Sequence, residues 1–160
     1  MAISPGDKIP NVMVTAIRQD QQEKVSTSEL LGGHKVVLFA VPGAFTPTCS
    51  DYHLPGFLLH APEIYEKGVS TIACIAVNDA FVMSAWGKSQ NIGEEVVLVA
   101  DGNGDFAKAA GLELDGTAFG LGTRSRRYAM IIEDGVVTSL EVEPGGGLSV
   151  SSAEAVLAKL

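Results

Sequence analysis

The sequence predicts an α/β sandwich: a central mixed β-sheet with helices on both faces. Three observations carry this. Short apolar, β-branched runs alternate along the chain with stretches of helical spacing. The strongest runs, VVLFAV and TIACIAV, are apolar on both sides, as strands covered by helices on either face should be. The last two runs meet at Asp134-Gly135, a two-residue turn that favours a hairpin, so the sheet cannot be wholly parallel.

The elements follow in order. A weak strand is expected over residues 12–17 and a strong one over 35–41. Helical stretches fill 47–67, with Pro55-Gly56 expected to interrupt or kink them. A strand over 70–77 leads to a helix over 79–88, with Asn78 or Asp79 as its N-cap. In that helix Phe81, Val82, Ala85 and Trp86 share one face, a stripe expected to be core before interface. A strand over 95–100 precedes a short helix over 104–110, closed by Gly111. Strands over 127–133 and 136–142 form the hairpin. A helix over 151–160 ends the chain, capped by Ser151 or Ser152, with Glu154 in its first turn and Lys159 in its last. The closing hairpin and helix suit a thioredoxin-like arrangement. One domain over residues 1–160 is expected, since the Gly145-Gly146-Gly147 triplet is too short for a linker.

Composition narrows the function. The chain has 160 residues, 46% hydrophobic and 19% charged, which is enough to bury a core without disulfides or a structural metal. Nineteen acidic residues against 11 basic give a net charge of −8. That balance argues against nucleic acid and anionic membranes, which need clustered Lys and Arg. The longest apolar run, residues 36–45, is about half the ~20 residues of a spanning helix. Residues 1–7 lack the basic start and apolar stretch of a signal peptide. Two cysteines are too few for a secreted disulfide framework. A soluble protein of a reducing compartment is expected: cytoplasmic, or the mature form in a plastid or mitochondrion.

Cys49 is the chief candidate for chemistry. A buried strand ends at Val41, Pro42-Gly43 makes a turn, and Pro47 suits the first position of a helix. Cys49 then lies in the first turn, where N–H groups are unpaired and the helix dipole favours a thiolate. Thr46 and Thr48 bring hydroxyls close by. Read locally, Cys49 is either such a reactive thiol or a small buried residue that packs as a hydrophobe. A Cys-x-x-Cys site is excluded, because Thr46 and Tyr52 occupy the positions three residues away.

The stretch Pro42-Gly43-Ala44-Phe45-Thr46-Pro47-Thr48-Cys49-Ser50, followed by His53-Leu54-Pro55-Gly56-Phe57, resembles the active-site segment of the peroxiredoxins. It is most similar to the type II (atypical, peroxiredoxin-5-like) subgroup of plant type. The resemblance continues through residues 77–83, 100–104 and 120–128 to Ser151-Ser152-Ala153-Glu154, in order and without a large insertion. It implies a thioredoxin-like fold and a thiol peroxidase acting on hydrogen peroxide and small alkyl hydroperoxides. By this resemblance Cys49 is the peroxidatic cysteine, Thr46 contacts thiolate and peroxide, Pro42 shields the sulfur, and Arg127 is the family's arginine. The chemistry suits these types: a guanidinium, a hydroxyl and helix N–H groups can stabilise charge moving from sulfur to the leaving oxygen. Strand alternation turns Arg126 and Arg127 to opposite faces, so one member of the Arg124/Arg126/Arg127 cluster is expected to face Cys49.

Cys74 lies in a strand that is apolar on both sides. It is either an inert buried thiol or, as the resemblance implies, the resolving cysteine. A disulfide would need the two Cα atoms within about 7 Å. Otherwise glutathione, glutaredoxin or thioredoxin attacks the Cys49 sulfenic acid. The resemblance also implies that His53 is a supporting group near Cys49. No metal or other cofactor is expected: Cys49 and His53 would be half a zinc site, with only His34, His60 and Cys74 to complete it. The 101–105 segment imitates a calcium loop but has Phe106 and Leu112 where Gly and Glu are required. Gly120-x-Gly122 lacks the remaining residues of a phosphate loop. The resemblance also implies a homodimer with contacts near the active site. The rival reading is a non-catalytic redox sensor or interaction module switched by Cys49 oxidation. Pro42, Thr46, Cys49 and Arg127 together favour the enzyme.

Overall fold

A seven-stranded mixed sheet organises the computed structural model, which describes residues 2–19, 21–145 and 147–160. Met1 of the amino-terminal stretch and Gly146 of the glycine triplet lie outside the described residues. In chain order come β1 (Met13–Arg18), β2 (Gln21–Ser26), α1 (Thr27–Leu31) and β3 (Lys35–Ala40). A π-helical turn (Cys49–His53) then runs into α2 (Leu54–Glu66). β4 (Thr71–Ala76), α3 (Ala80–Ser89), β5 (Val97–Ala100) and α4 (Asp105–Ala110) follow. A two-stranded ribbon of β6 (Glu113–Asp115) and β7 (Thr123–Ser125) encloses a 3-10 turn (Thr117–Phe119). The chain closes with β8 (Tyr128–Glu133), β9 (Val136–Val142) and α5 (Ala153–Leu157).

The strand order is β2-β1-β5-β4-β3-β8-β9. Only β3, β4 and β5 pair in parallel; β1, β2, β8 and β9 are antiparallel to their neighbours. Strand alternation splits the core in two. Val37, Phe39, Ile72 and Cys74 face α2, α3 and α5, through Phe57, Ile64, Met83, Trp86 and Val156. Val36, Leu38, Ala73 and Ile75 face α1 and α4, through Leu31 and Phe106. Phe39 stacks on Phe57 with ring centroids 4.0 Å apart, anchoring α2 to the central strand. The hairpin turn is as expected: Asp134 and Gly135 have φ of 51° and 79°, the paired positive values of a type I′ turn.

The strand expected over residues 12–17 is present over Met13–Arg18, and it pairs with an unexpected strand, β2, whose sequence QQEKVS is polar because it lies on the sheet edge. Two other expectations hold only in part. Pro55-Gly56 does not end the helical run, which covers residues 47–66, but a π turn gives way to the α-helix beside the proline. The π turn absorbs the proline. Leu54 N–H reaches back five residues to the Cys49 carbonyl, and Pro55 has no N–H for the next acceptor in that row, Ser50. Gln90 Nε2 donates to that carbonyl instead, at 3.1 Å. Finally, the predicted stripe on α3 is core only in part: Trp86 is fully buried and Val82 half-buried against the core, while Phe81 and Ala85 are exposed. Met83, Trp86 and Gly87 form the core face, because Asp79 caps the helix by accepting from Val82 N–H and so sets its rotation.

Candidate active site

β3 delivers the chain to the carboxyl edge of the sheet, where Pro42 and Gly43 turn it. Asn78, at the carboxyl end of β4, holds the turn by accepting from Ala44 N–H at 2.9 Å. Phe45 follows with φ of 64°, a left-handed conformation that side chains other than glycine rarely adopt. The strained turn brings the Thr46 hydroxyl to 2.7 Å from the Gly43 carbonyl and 2.9 Å from Cys49 Sγ. That hydroxyl has one proton, and the Gly43 carbonyl can only accept. With a thiol, sulfur donates to Thr46 and Thr46 donates to Gly43; with a thiolate, the Thr46 proton turns to sulfur.

Cys49 is wholly buried in the first helical turn. The helical ladder opens with Ser50 N–H donating to the Thr46 carbonyl, so Cys49 sits at the positive helix end, as its sequence predicts. Trp86 Nε1 donates to Ser50 Oγ at 2.9 Å and pins this turn to α3.

Arg127, just before β8, crosses the site from the neighbouring strand. Its Nη2 donates to Cys49 Sγ at 3.2 Å and its Nη1 to His53 Nδ1 at 2.8 Å. Its Nε is buried and has no hydrogen-bond partner among the described residues, a donor in hand beside the sulfur. Arg127 is the one member of the Arg124/Arg126/Arg127 cluster with a contact to Cys49, and Arg124 instead braces the turn before it. Its Nε donates to the Leu121 carbonyl at 3.0 Å, and its Nη1 lies 3.4 Å from the Pro42 carbonyl. A Cβ on Gly43 would come within 2.8 Å of Arg124 Nη1 and 3.3 Å of the Thr46 methyl, so a side chain there would push the end of Arg124 off the turn. Pro42 itself is half-buried at the start of the turn. Arg126 turns the other way, its Nη2 3.4 Å from the Glu143 carbonyl.

His53 is wholly buried against Phe39 and Phe57. The Ser151 carbonyl, 2.8 Å from Nε2, can only accept, so Nε2 carries the proton and Nδ1 offers a lone pair to Arg127. Burial, then the Arg127 charge, pull the His53 pKa from 6.5 down to about 4, against the opposing Ser151 carbonyl and Glu143. The unfolded chain therefore binds this proton first, and stability falls as pH drops from 6.5 toward 4. The expected loss over that window is about 3 kcal/mol. Urea titrations across it should show the slope in the wild type and a flatter one in His53→Gln; equal slopes would refute the assignment.

Glu143 is a residue that sequence reasoning missed. It is 3% exposed, yet no lysine or arginine side chain contacts its carboxylate among the described residues. Burial acts to raise its pKa, but the Ser151 and Ser149 hydroxyls and their N–H groups outweigh burial and hold it at about 2. Only the glutamate at the end of a strand is visible in the sequence, and nothing there marks its partners.

Cys74 is wholly buried in β4, opposite Phe39 and Leu98. Burial first, then Cys49, push its thiol well above the ordinary value, with Arg127 opposing. Both cysteines are free. His34 and His60, which would have had to complete a zinc site, lie elsewhere: His34 contacts Thr71, and His60 contacts Glu63 and Glu154.

The arrangement is a buried sulfur at a helix start, faced by a hydroxyl and a guanidinium. Known proteins carry the same chain pattern. The sequence model of the Redoxin family matches residues 4–157. Peroxiredoxin-2E, chloroplastic, of Arabidopsis thaliana is 50% identical over 163 residues, covering 99% of this chain and 70% of that protein. Peroxiredoxin-2B of Arabidopsis thaliana is 48% identical, over 99% of this chain and 98% of that one. The reduced Prx3 of Vibrio vulnificus, solved in complex with hydrogen peroxide, superposes with a TM-score of 0.92 at 51% identity, over 98% of this chain and 95% of that one. The thioredoxin-like fold and the peroxidase reading are thus shared with these relatives, and the chain belongs to the Redoxin family and, within it, to the type II peroxiredoxins, thiol-dependent peroxidases of antioxidant defence.

Proposed function

We propose that Cys49 is the peroxidatic sulfur of this enzyme, with Thr46 and Arg127 as its catalytic partners. The observation that carries the reading is the convergence of Thr46 Oγ1 and Arg127 Nη2 on one buried sulfur. The unpartnered Arg127 Nε supports it, as a donor for a peroxide oxygen. The Cys49 thiolate attacks one oxygen of the hydroperoxide. The S–O bond forms as the O–O bond breaks, and sulfur gives up two electrons. The leaving oxygen takes a proton and departs as water or an alcohol, and Cys49 becomes a sulfenic acid. The guanidinium and hydroxyl follow the charge from sulfur to oxygen. Pro42 starts the turn that excludes water from the sulfur, and His53 orients Arg127. The crowded site suits hydrogen peroxide and small alkyl hydroperoxides.

The reductant is an external thiol: glutathione with glutaredoxin, or thioredoxin. It forms a mixed disulfide with Cys49 and releases water, and a second thiol then frees the reduced enzyme. Cys74 is not the resolving residue in this reading. Its thiol is fully buried in a central strand paired on both sides, and its thiolate is disfavoured. Steady-state turnover with each reductant system tests this. Cys74→Ser should keep wild-type rates with the preferred reductant; a drop of about tenfold or more would return Cys74 to the resolving role.

A homodimer is proposed through Phe45, Phe81 and Phe119, all more than half exposed. Two of them ring the site, since Phe45 lies in the active-site turn and Asn78, just before α3, grips that turn. Sedimentation should find a dimer that Phe81→Asp weakens; a monomeric wild type would refute it. The proposed compartment is the cytoplasm, where free thiols such as Cys49 and Cys74 persist.

A further inference from the structure

A buried carboxylate that meets no cation among the described residues needs another reason for its place. Oε2 of Glu143 accepts from three successive N–H groups, those of Ser149, Val150 and Ser151, at 2.9, 2.8 and 2.8 Å. It also accepts from the Ser151 hydroxyl at 2.7 Å, and Oε1 accepts from the Ser149 hydroxyl at 2.8 Å. Converging N–H groups of this kind form an anion nest, here filled by the chain's own side chain. The result is a fixed main chain over residues 149–151.

What that segment presents to the interior is the Ser151 carbonyl, 2.8 Å from His53 Nε2. This carbonyl and the Arg127 donor at Nδ1 together decide that the His53 proton sits on Nε2, and the carbonyl holds the ring from its far side. With the proton on Nε2, Nδ1 accepts from Arg127 Nη1; with it on Nδ1, two donors would face each other. The guanidinium is planar, so fixing Nη1 fixes the direction of Nη2 toward Cys49 Sγ. The main chain closes the circuit, since Glu143 N–H donates to the Arg127 carbonyl at 2.9 Å.

We propose that Glu143 is a positioning residue for the peroxidase reaction, acting through the Ser151 carbonyl and His53 on the Arg127 guanidinium. The proposal rests on the reading that Arg127 serves the reacting Cys49 sulfur. It assigns the effect to geometry and not to charge, which separates two substitutions. In Glu143→Gln the amide oxygen can take the three N–H groups and the amide nitrogen can donate to the Ser149 hydroxyl, which rotates to accept. In Glu143→Ala the nest is empty.

The test is the second-order rate with hydrogen peroxide, read by stopped flow on the full chain. Glu143→Ala should lose between about tenfold and a hundredfold, the scale of a misplaced catalytic group. Glu143→Gln should stay within about threefold of wild type. In a His53→Ala background, Glu143→Ala should cost nothing further, because the path to Arg127 is already cut. A merely structural role would lower the thermal midpoint in both backgrounds and leave the two rate losses multiplicative. A folded Glu143→Ala with the wild-type rate, multiplicative losses, or a Gln variant as slow as Ala would each overturn the proposal. If Glu143→Ala does not fold, Glu143→Asp, which withdraws the carboxylate from the nest, carries the same expectations. Cys49→Ser and Arg127→Lys are measured alongside. If those two are fully active, the site reading fails and the proposal with it; if they are slow and the Glu143 variants are not, only the proposal fails.

Discussion

Cys49→Ser is expected to lower the second-order rate with hydrogen peroxide by about 10⁴-fold or more. The reason is chemical before it is geometric. An alcohol oxygen has no counterpart of the sulfenic acid to form, and a serine hydroxyl needs a general base to become a nucleophile. No such base is free in the site. His53 has both nitrogens engaged, one by the Ser151 carbonyl and one by Arg127. Cys74 cannot substitute, since burial disfavours its thiolate. The substitution is small and leaves Thr46 and Arg127 an acceptor, so the thermal midpoint should move by only a few degrees. Rapid peroxide consumption by the Ser variant would remove Cys49 from the reaction.

Arg127→Lys is expected to cost about 10²- to 10³-fold in the same rate, although the charge is kept. The guanidinium does two things at once: Nη1 is held by His53 and Nη2 reaches Cys49 Sγ. A lysine nitrogen is a single point. It can sit beside His53 Nδ1 or beside the sulfur, and in neither place does it supply the further donor that Arg127 Nε offers. The loss should appear in the bimolecular step and not in reduction by the external thiol. If Arg127→Lys retained the wild-type rate, charge alone would be sufficient and the directional donors unnecessary.

The sequence carried the centre of the site plainly. A strand apolar on both faces, a Pro-Gly turn and a proline at the helix start put Cys49 where the structure has it, with Thr46 three residues before. The hairpin at Asp134-Gly135 was equally legible, since positive φ at both positions is what Asp-Gly tolerates. The elements that escaped are short or polar. β2 is an exposed edge strand, and β6 and β7 have three residues each, too few for any period to register. The buried face of α3 was legible only in part: Trp86 lies on it, but apolar spacing fits Phe81 and Ala85 as well as Met83 and Gly87, and only the Asp79 cap decides between them. The support behind the site was illegible for another reason. His53 meets Ser151 across 98 residues and Arg127 across 74, and Glu143 acts through a loop whose main chain, not its side chains, makes most of the contact. Spacing along a chain says nothing about such pairings.

The account turns on one atom, Cys49 Sγ, as the place where the O–O bond is broken. Trapping the oxidised sulfur tests this most directly. The reduced protein is mixed with one equivalent of hydrogen peroxide in the presence of dimedone, which captures sulfenic acids, and peptides are then mapped by mass spectrometry. The predicted result is a dimedone adduct on Cys49, with Cys74 unmodified. An adduct on Cys74 instead, or none above the peroxide-free control, would contradict the account.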